Sequence, residues 1–525
     1  MNAVLDSVQM KKCDSYTSEH FGVPSVVLME RAALAVANVA MSAVCAPDTE
    51  PRNAVTSVRP VDGKKVLAVC GTGNNGADGL AAARILAERG FDVDFAIPFD
   101  NGKHSELFDV QLGILNNYGL KACCPEEFEE YDVILDAVFG IGLSRDLSPE
   151  MCEYIDRINK AKAVKIAVDI PSGLNADNGL PMGNAFEADI TVTFGFKKLG
   201  QVVTSGTKYV GELVCEDIGI TERSLECLEE VPASEMIFGD LVSNLPERPA
   251  QGNKGTFGKV LVFAGSEGMP GACILASKAA FKSGAGMVRI ISCKENLTLV
   301  TEVLPEAMTI AAEDEAAVSE ALGWCDVILM GPGIGKSKKS RRVMKLLLEK
   351  AGSKIVVIDA DGLNILAEDE EISAILKGRG EGTTILTPHM GEFARLSGKS
   401  VKEIAACPAR ISKAYSRNMN AILVLKDAVT VVTCADEMVI INAGNNGMAT
   451  AGSGDVLAGI TAALCAFEPK AADDDKMFKA VCNAVYLHGY AGHICTESMP
   501  TDSVMAGDIA SALPEAIGNV RALQH

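Results

Sequence analysis

Residues 65–89 read KVLAVCGTGNNGADGLAAARILAER, and this stretch decides the fold. The segment 65–70 is short, apolar and β-branched in part, which reads as a strand buried on both faces. GTGNNGADG (71–79) breaks it, and LAAARILAER has the composition of a helix over 80–89. A strand passing through a glycine turn into a helix is the first half of a βαβ unit. Working outward, a helix is expected over 26–44, and further apolar strands over 93–98, 133–139, 164–169 and 190–194. The rhythm fades across 220–250, where charges and prolines dominate. It restarts with strands over 259–263, 287–292, 327–330, 355–358 and 384–386, then a meander over 422–424, 429–432 and 438–441. Such alternation predicts an α/β protein with mostly parallel sheets covered by helices. Two domains follow: a Rossmann-like three-layer domain over 1–219 and a second α/β domain over 251–525, joined by a junction over 220–250.

Composition excludes several classes. The chain has 525 residues, 48% of them hydrophobic and 22% charged, enough to fill real cores and too apolar for a disordered protein. Its formal charge, 48 − 69 = −21, repels nucleic acid and anionic lipid, so neither is an expected partner. Sixteen cysteines occur without a CxxC pair, which reads as reduced, small buried hydrophobes in a cytoplasmic protein. The opening MNAVLDSVQM has no leader pattern. The uncharged runs 32–46 and 456–467 fall short of the roughly 18 apolar residues of a membrane span. Trp324 is expected in the core.

In the first half, polar groups gather at strand ends. GTGNNGADG lets backbone amides approach an anion at a helix start, and it does not have the dinucleotide fingerprint spacing. Asp136 lies in ILDAVFG beside the turn GIGLSR (140–145), and Asp169 and Ser172 lie in VDIPSG. C-terminal ends of parallel strands converge on one crevice. Oxygen atoms of Asn75, Asp136 and Ser172 could there hold a hard monovalent cation.

In the second half, GNNGMATAGSGDVLAG (444–459) is the sharpest signal. Gly452 and Gly454 flank Ser453, and Asp455 opens an apolar helix. Amides at such a start form an anion hole for a phosphoryl group, and the carboxylate can take a proton from a hydroxyl.

GTGNNGADG, DAVFGIGLSR and VDIPSG together resemble the YjeF N-terminal family, the NAD(P)H-hydrate epimerase fold, over about 10–219. The resemblance implies substrate contacts at Asn74, Asn75, Gly76, Ala77 and Asp78. It extends them to Gly140, Ile141, Gly142, Leu143, Ser144, Arg145 and Asp146, and to Asp169, which is the candidate acid–base group. It implies potassium on Asn75, Asp136 and Ser172. Ala77 replaces a glycine usual in the family loop, which is tolerable only if φ stays negative.

The 444–459 motif resembles the ribokinase-like superfamily, whose matching aspartate is the catalytic base. NKGTFGKVLVFAGSEGMPGA (253–272), GPGIG (331–335), DADGLN (359–364), TPHMGEF (387–393) and LKDAVT (425–430) narrow this to the ADP-dependent NAD(P)H-hydrate dehydratase domain, over about 230–525. The resemblance implies that Ala272, Gly333, His389 and Asp455 meet the hydrated nucleotide. It implies that Lys426, Asp427, Ala428, Val429, Thr430 and Gly454 hold the adenine nucleotide. Asp427 stands where the family often has glycine, and a carboxylate there would repel a phosphate unless it faces solvent.

Together these resemblances imply a bifunctional chain. One half interconverts the C6 epimers of hydrated NADH and NADPH (NADHX and NADPHX). The other dehydrates the S epimer at the expense of ADP, giving AMP and phosphate, with magnesium on the nucleotide. A homo-oligomer is implied by the same resemblance. Two other readings stay open on the residues: a kinase for a small alcohol that accumulates a phosphorylated product, and a first half serving as a binding module.

Overall fold

The computed structural model describes residues 1–44, 63–100, 102–125, 127–231, 233–380, 382–467 and 474–524. The chain forms two compact units, Ala3–Pro232 and Ala233–His525, the latter with Met1–Asn2.

In the first unit, seven parallel strands run in the order Ala122–Cys123, Asp92–Ala96, Lys65–Cys70, Val133–Ala137, Val164–Val168, Ile190–Phe194 and Glu212–Glu216. Order therefore reverses between Lys65–Cys70 and Val133–Ala137, the switch point where a doubly wound sheet opens a crevice. Alternation along the strands fills both faces. Val66, Ala68, Val133 and Leu135 join the core that also holds Leu28, Val36 and Leu80. Leu67, Val69 and Ile134 join Ile155 and Ile158 on the other face. Three layers result.

Helix Ser25–Val44 spans 20 residues with mean hydropathy 1.5, long and apolar enough by length and composition to cross a membrane. The uncharged run alone understated it, because Glu30 and Arg31 interrupt the charge pattern and not the helix. Its Leu28, Ala32, Ala33, Val36, Ala37 and Ala40 are buried in the first unit's core.

In the second unit, parallel strands run Met308–Ala311, Met287–Ser292, Lys259–Phe263, Val327–Met330, Ile355–Ile358, Thr384–Leu386 and Ile422–Leu425. The antiparallel Thr430–Cys434 and Glu437–Ile441 continue the sheet, and Ala233–Glu235 pairs in parallel with the last of these. Val260, Val262, Val327 and Leu329 pack with Ala276, Val456, Ile460 and Ile509 from helices Pro270–Lys282, Ser453–Phe467 and Ala506–Gln524. Again the order reverses beside the first strand, Lys259–Phe263.

Several expectations are corrected. The helix expected over 80–89 begins at Asn74 and ends at Glu88, so most of the glycine-rich segment is its first turns. Glycine permits close approach within it: a Cβ on Gly76 would lie 1.7 Å from the Gly71 carbonyl oxygen. The 220–250 stretch carries the short helix Phe238–Asn244 and the strand Ala233–Glu235, too brief to show a period. Trp324 ends helix Glu315–Trp324 half-buried, with the Arg289 guanidinium 4.4 Å from its ring centroid. No disulfide joins the cysteines among the described residues, and Cys124 and Cys215 are exposed rather than buried.

Candidate active sites

At the switch point of the first unit, Asp136 ends its strand with 3% of its surface exposed. Its Oδ1 accepts the Ser172 hydroxyl at 2.6 Å, and its Oδ2 accepts the Ser172 amide at 2.7 Å. The Ser172 hydroxyl oxygen in turn accepts the Phe139 amide at 2.8 Å. Burial pushes the Asp136 carboxyl up to about 6, opposed by the hydrogen bonds from Ser172 and Val138. Asn75 is half-buried and lies against Gly140, and its amide nitrogen is buried without a hydrogen-bond partner. The unpartnered atom is an N–H donor, which seeks an acceptor and not a cation; the oxygen atoms gathered here are those of Asn75, Asp136 and Ser172.

Asn74 is exposed at the helix start. Ala77 is fully buried inside the helix, where its φ is not positive, so the methyl is accommodated. In the turn, Gly140, Ile141 and Leu143 are half-buried, whereas Gly142, Ser144, Arg145 and Asp146 are exposed.

Asp169 follows strand Val164–Val168 with φ +66°, a left-handed conformation that a non-glycine residue adopts only under constraint. Its Oδ1 accepts the Lys198 ammonium at 2.6 Å. Lys198, in FGFKKLG, is 1% exposed. Sequence reasoning missed it, because a lysine pair reads as a solvated surface. The signal available was its company, since Phe194, Phe196 and Leu199 flank the pair. Asp78 lies within the electrostatic reach of Asp169 and Asp14, and burial first, then those charges, holds its carboxyl well above the usual range.

In the second unit, Asp455 lies in the first turn of helix Ser453–Phe467. Its carboxyl is pushed up to about 7, first by burial and then by Asp359 and Asp361, with Lys426 opposing. Asp359 is 1% exposed at the end of Ile355–Ile358, and the next residue, Ala360, has φ +48°. Lys426 Nζ lies 2.7 Å from Asp359 Oδ1 and 3.1 Å from where a Gly454 Cβ would stand. His389 bridges in parallel to Lys426 and caps helix Met390–Ser397. Its Nδ1 accepts the Gly391 amide at 2.9 Å, which leaves its ring proton on the exposed Nε2. Ala272 and Gly333 are also brought together, the Ala272 methyl lying 2.9 Å from a Gly333 Cβ position. Ala272 shares helix Pro270–Lys282 with Leu275, which packs against Gly452, so these elements meet beside the Asp455 turn.

Asp427 and Ala428 are exposed, and the Asp427 carboxylate accepts the Ala428 amide, so it faces solvent at its own turn. Val429 is buried, and Thr430 opens its strand. Sequence reasoning gave no role to Asp359 or to His488. His488 is buried on helix Asp474–Ser498, its Nε2 lies 3.2 Å from the Ser453 hydroxyl, and burial pushes it down to about 4.

Two α/β units, one with a switch-point site around buried carboxylates and one with a glycine-flanked helix start that carries a raised aspartate, define a nucleotide-handling enzyme with two sites. Residues 25–200 match the family described as YjeF-related protein N-terminus, and residues 260–515 match the one described as NAD(P)H-hydrate dehydratase. A protein of Moorella thermoacetica named bifunctional NAD(P)H-hydrate repair enzyme is 35% identical over 98% of this chain and 97% of its own. The chain belongs to that family of bifunctional NAD(P)H-hydrate repair enzymes. A Thermofilum pendens relative of the same name is 33% identical over 98% of this chain and 96% of its own. A solved ribokinase-like superfamily protein of Enterococcus faecalis, 25% identical, covers 56% of this chain and 98% of its own with a TM-score of 0.50.

Proposed function

We propose that the first unit exchanges the R and S epimers of NADHX and NADPHX at C6, and that the second dehydrates the S epimer using ADP. The observation that carries the dehydratase half is the Asp455 carboxyl, poised near neutrality at a glycine-bounded helix start. Hydroxide leaves poorly, whereas phosphate leaves well. Asp455 takes the proton of the C6 hydroxyl as its oxygen attacks the terminal phosphorus of ADP, and AMP departs. Amides of the 452–454 turn face the charge that builds on the phosphoryl oxygens. Phosphate then leaves C6 as the ring nitrogen lone pair pushes, and loss of a C5 proton restores NAD(P)H. Lys426, with Thr430 and the 427–429 backbone, holds the nucleotide. His389 Nε2 offers a donor to the substrate.

No group of three His, Cys, Asp or Glu among the described residues could hold a metal alone. Magnesium would enter with the nucleotide phosphates and supply neutralising charge there. In the first unit, Asn75, Asp136 and Ser172 would hold potassium, whose charge would steady the substrate. Asp169 is the proton-transfer group of epimer exchange. The −21 charge favours small-molecule substrates over nucleic acid or membrane, and the chain is proposed to work in the cytoplasm as a homo-oligomer.

The test is recovery of the reduced-nicotinamide absorbance band from a mixed-epimer hydrate with magnesium, potassium and ADP. Full recovery supports both halves. Recovery that stops at one epimer removes the epimerase reading, and a stable phosphorylated product without NAD(P)H points to a kinase instead.

A further inference from the structure

The Lys198 ammonium spends all three donors inside the first unit: on Asp169 Oδ1 at 2.6 Å, on the Thr193 hydroxyl at 2.7 Å and on the Phe194 carbonyl at 3.2 Å. Its backbone is fixed as well. Leu5 pairs with Lys198 in parallel register, and the Lys198 amide donates to Gln201 Oε1 at 2.8 Å. The Gln201 side chain then donates to the Asp169 carbonyl at 2.7 Å. One segment, 198–201, thus grips Asp169 by both its carboxylate and its main chain, and holds it at φ +66°. A buried ion pair is weak evidence of a stabilising role, because apolar replacements often serve stability as well. Strain at a strand end beside a candidate proton-transfer group is the mark of a positioned functional side chain.

We infer that Lys198 is a positioning residue for epimer exchange, the one that aims Asp169 and holds it in place. This inference rests on the epimerase reading of the first unit. The titratable groups facing Asp169 are Lys198, Asp78 on helix Asn74–Glu88 and Asp14 on helix Ser7–Glu19. Only Asp169 has the ammonium as its ion-pair partner. Asp78 and Asp14 are both held above the ordinary carboxylate range, by desolvation first and then by the Asp169 charge. Asp169, gripped by Lys198, is thus the candidate base, and the two raised carboxyls are the candidate acids. Exchange needs both kinds. The C6–O bond breaks as Asp78 delivers a proton to the hydroxyl, water leaves, and the ring nitrogen lone pair fills the vacancy at C6. Water then adds to the opposite face and gives its proton to Asp169, and proton return through solvent resets the pair with no net change. Lys198 touches no substrate atom in this scheme, being closed off behind Asp169.

The experiment uses the full chain, with the dehydratase of the second unit as an internal reference for enzyme concentration and amine rescue as the control for folding of the first. Exchange between purified epimers is followed by proton NMR across pH for the wild type, Lys198→Met and Thr193→Val, and dehydration of the pure S epimer is measured alongside. The expected result for Lys198→Met is a kcat for exchange reduced 100-fold or more with KM changed less than threefold. The acid limb of its pH profile moves to higher pH, because loss of the cation makes the Asp169 carboxylate easier to protonate. Thr193→Val, which leaves the ion pair, gives a smaller change of the same sign, and Lys198→Ala regains exchange when propylamine is added. Dehydration stays at the wild-type rate throughout. Exchange by Lys198→Met at the wild-type rate and with the wild-type profile overturns the inference and leaves the epimerase reading standing. So does a change in KM alone without amine rescue. A wild-type chain that exchanges nothing overturns both.

Discussion

The Lys426 ammonium and the Thr387 hydroxyl converge on the same oxygen of Asp359, each at 2.7 Å. That oxygen sits at the end of a parallel strand, so the sheet fixes the lysine that faces the Asp455 turn. Lys426 is therefore anchored before any nucleotide arrives, and its charge opposes the burial and the two aspartates that raise Asp455.

The pH dependence of dehydration follows. Asp455 works as a base only when ionised, and its carboxyl lies at about 7, so kcat/KM should fall as pH drops through that value. Lys426→Met removes a charge that favours the carboxylate, so the limb should move to higher pH. Asp361→Asn removes a like charge and should move it lower. Steady-state rates on S epimer at saturating ADP check both signs.

Asp455→Asn keeps the shape and loses the base. Dehydration should fall by about 10²- to 10⁴-fold. Epimer exchange should be unchanged, because its groups lie in the other unit. NMR exchange and absorbance recovery on the same preparation separate the two.

Gly452 adopts φ +90°, and a Cβ there would meet Leu275 Cδ1 at 2.6 Å and the Ala506 methyl at 3.1 Å. Gly452→Ala should cost about 1–3 kcal/mol in stability through backbone strain. It should also displace the anion hole, so dehydration should fall further than the urea midpoint alone would suggest.

Ser172→Ala removes the hydroxyl that links Asp136 to the Phe139 amide. Leaving buried groups unpaired should cost about 1–3 kcal/mol. Urea unfolding followed by a first-unit probe measures the loss. Exchange rates titrated with potassium chloride against choline chloride should show a weakened potassium dependence.

Much of this was legible in the chain. Val327–Met330 and Ile355–Ile358 read correctly because strands buried on both faces are uninterrupted apolar runs. The 444–459 motif announced itself through local composition, as Asp455 and its glycines are close in sequence. Lys198 and Asp359 were not legible as partners. Their significance is a pairing across 29 residues in one case and 67 in the other, and single-sequence periodicity carries no such term. Short pieces such as Ala233–Glu235 were missed for a different reason. Three residues cannot display a period, and tertiary pairing alone makes them strands.

That last strand bears on how the molecule can be divided. Ala233–Glu235 satisfies the outer backbone groups of Glu437–Ile441. A fragment begun near Gly252 would strip that row bare and present a sticky β-edge to its neighbours. Such a fragment should aggregate on concentration. One begun upstream of Ala233 keeps that row paired and should aggregate less.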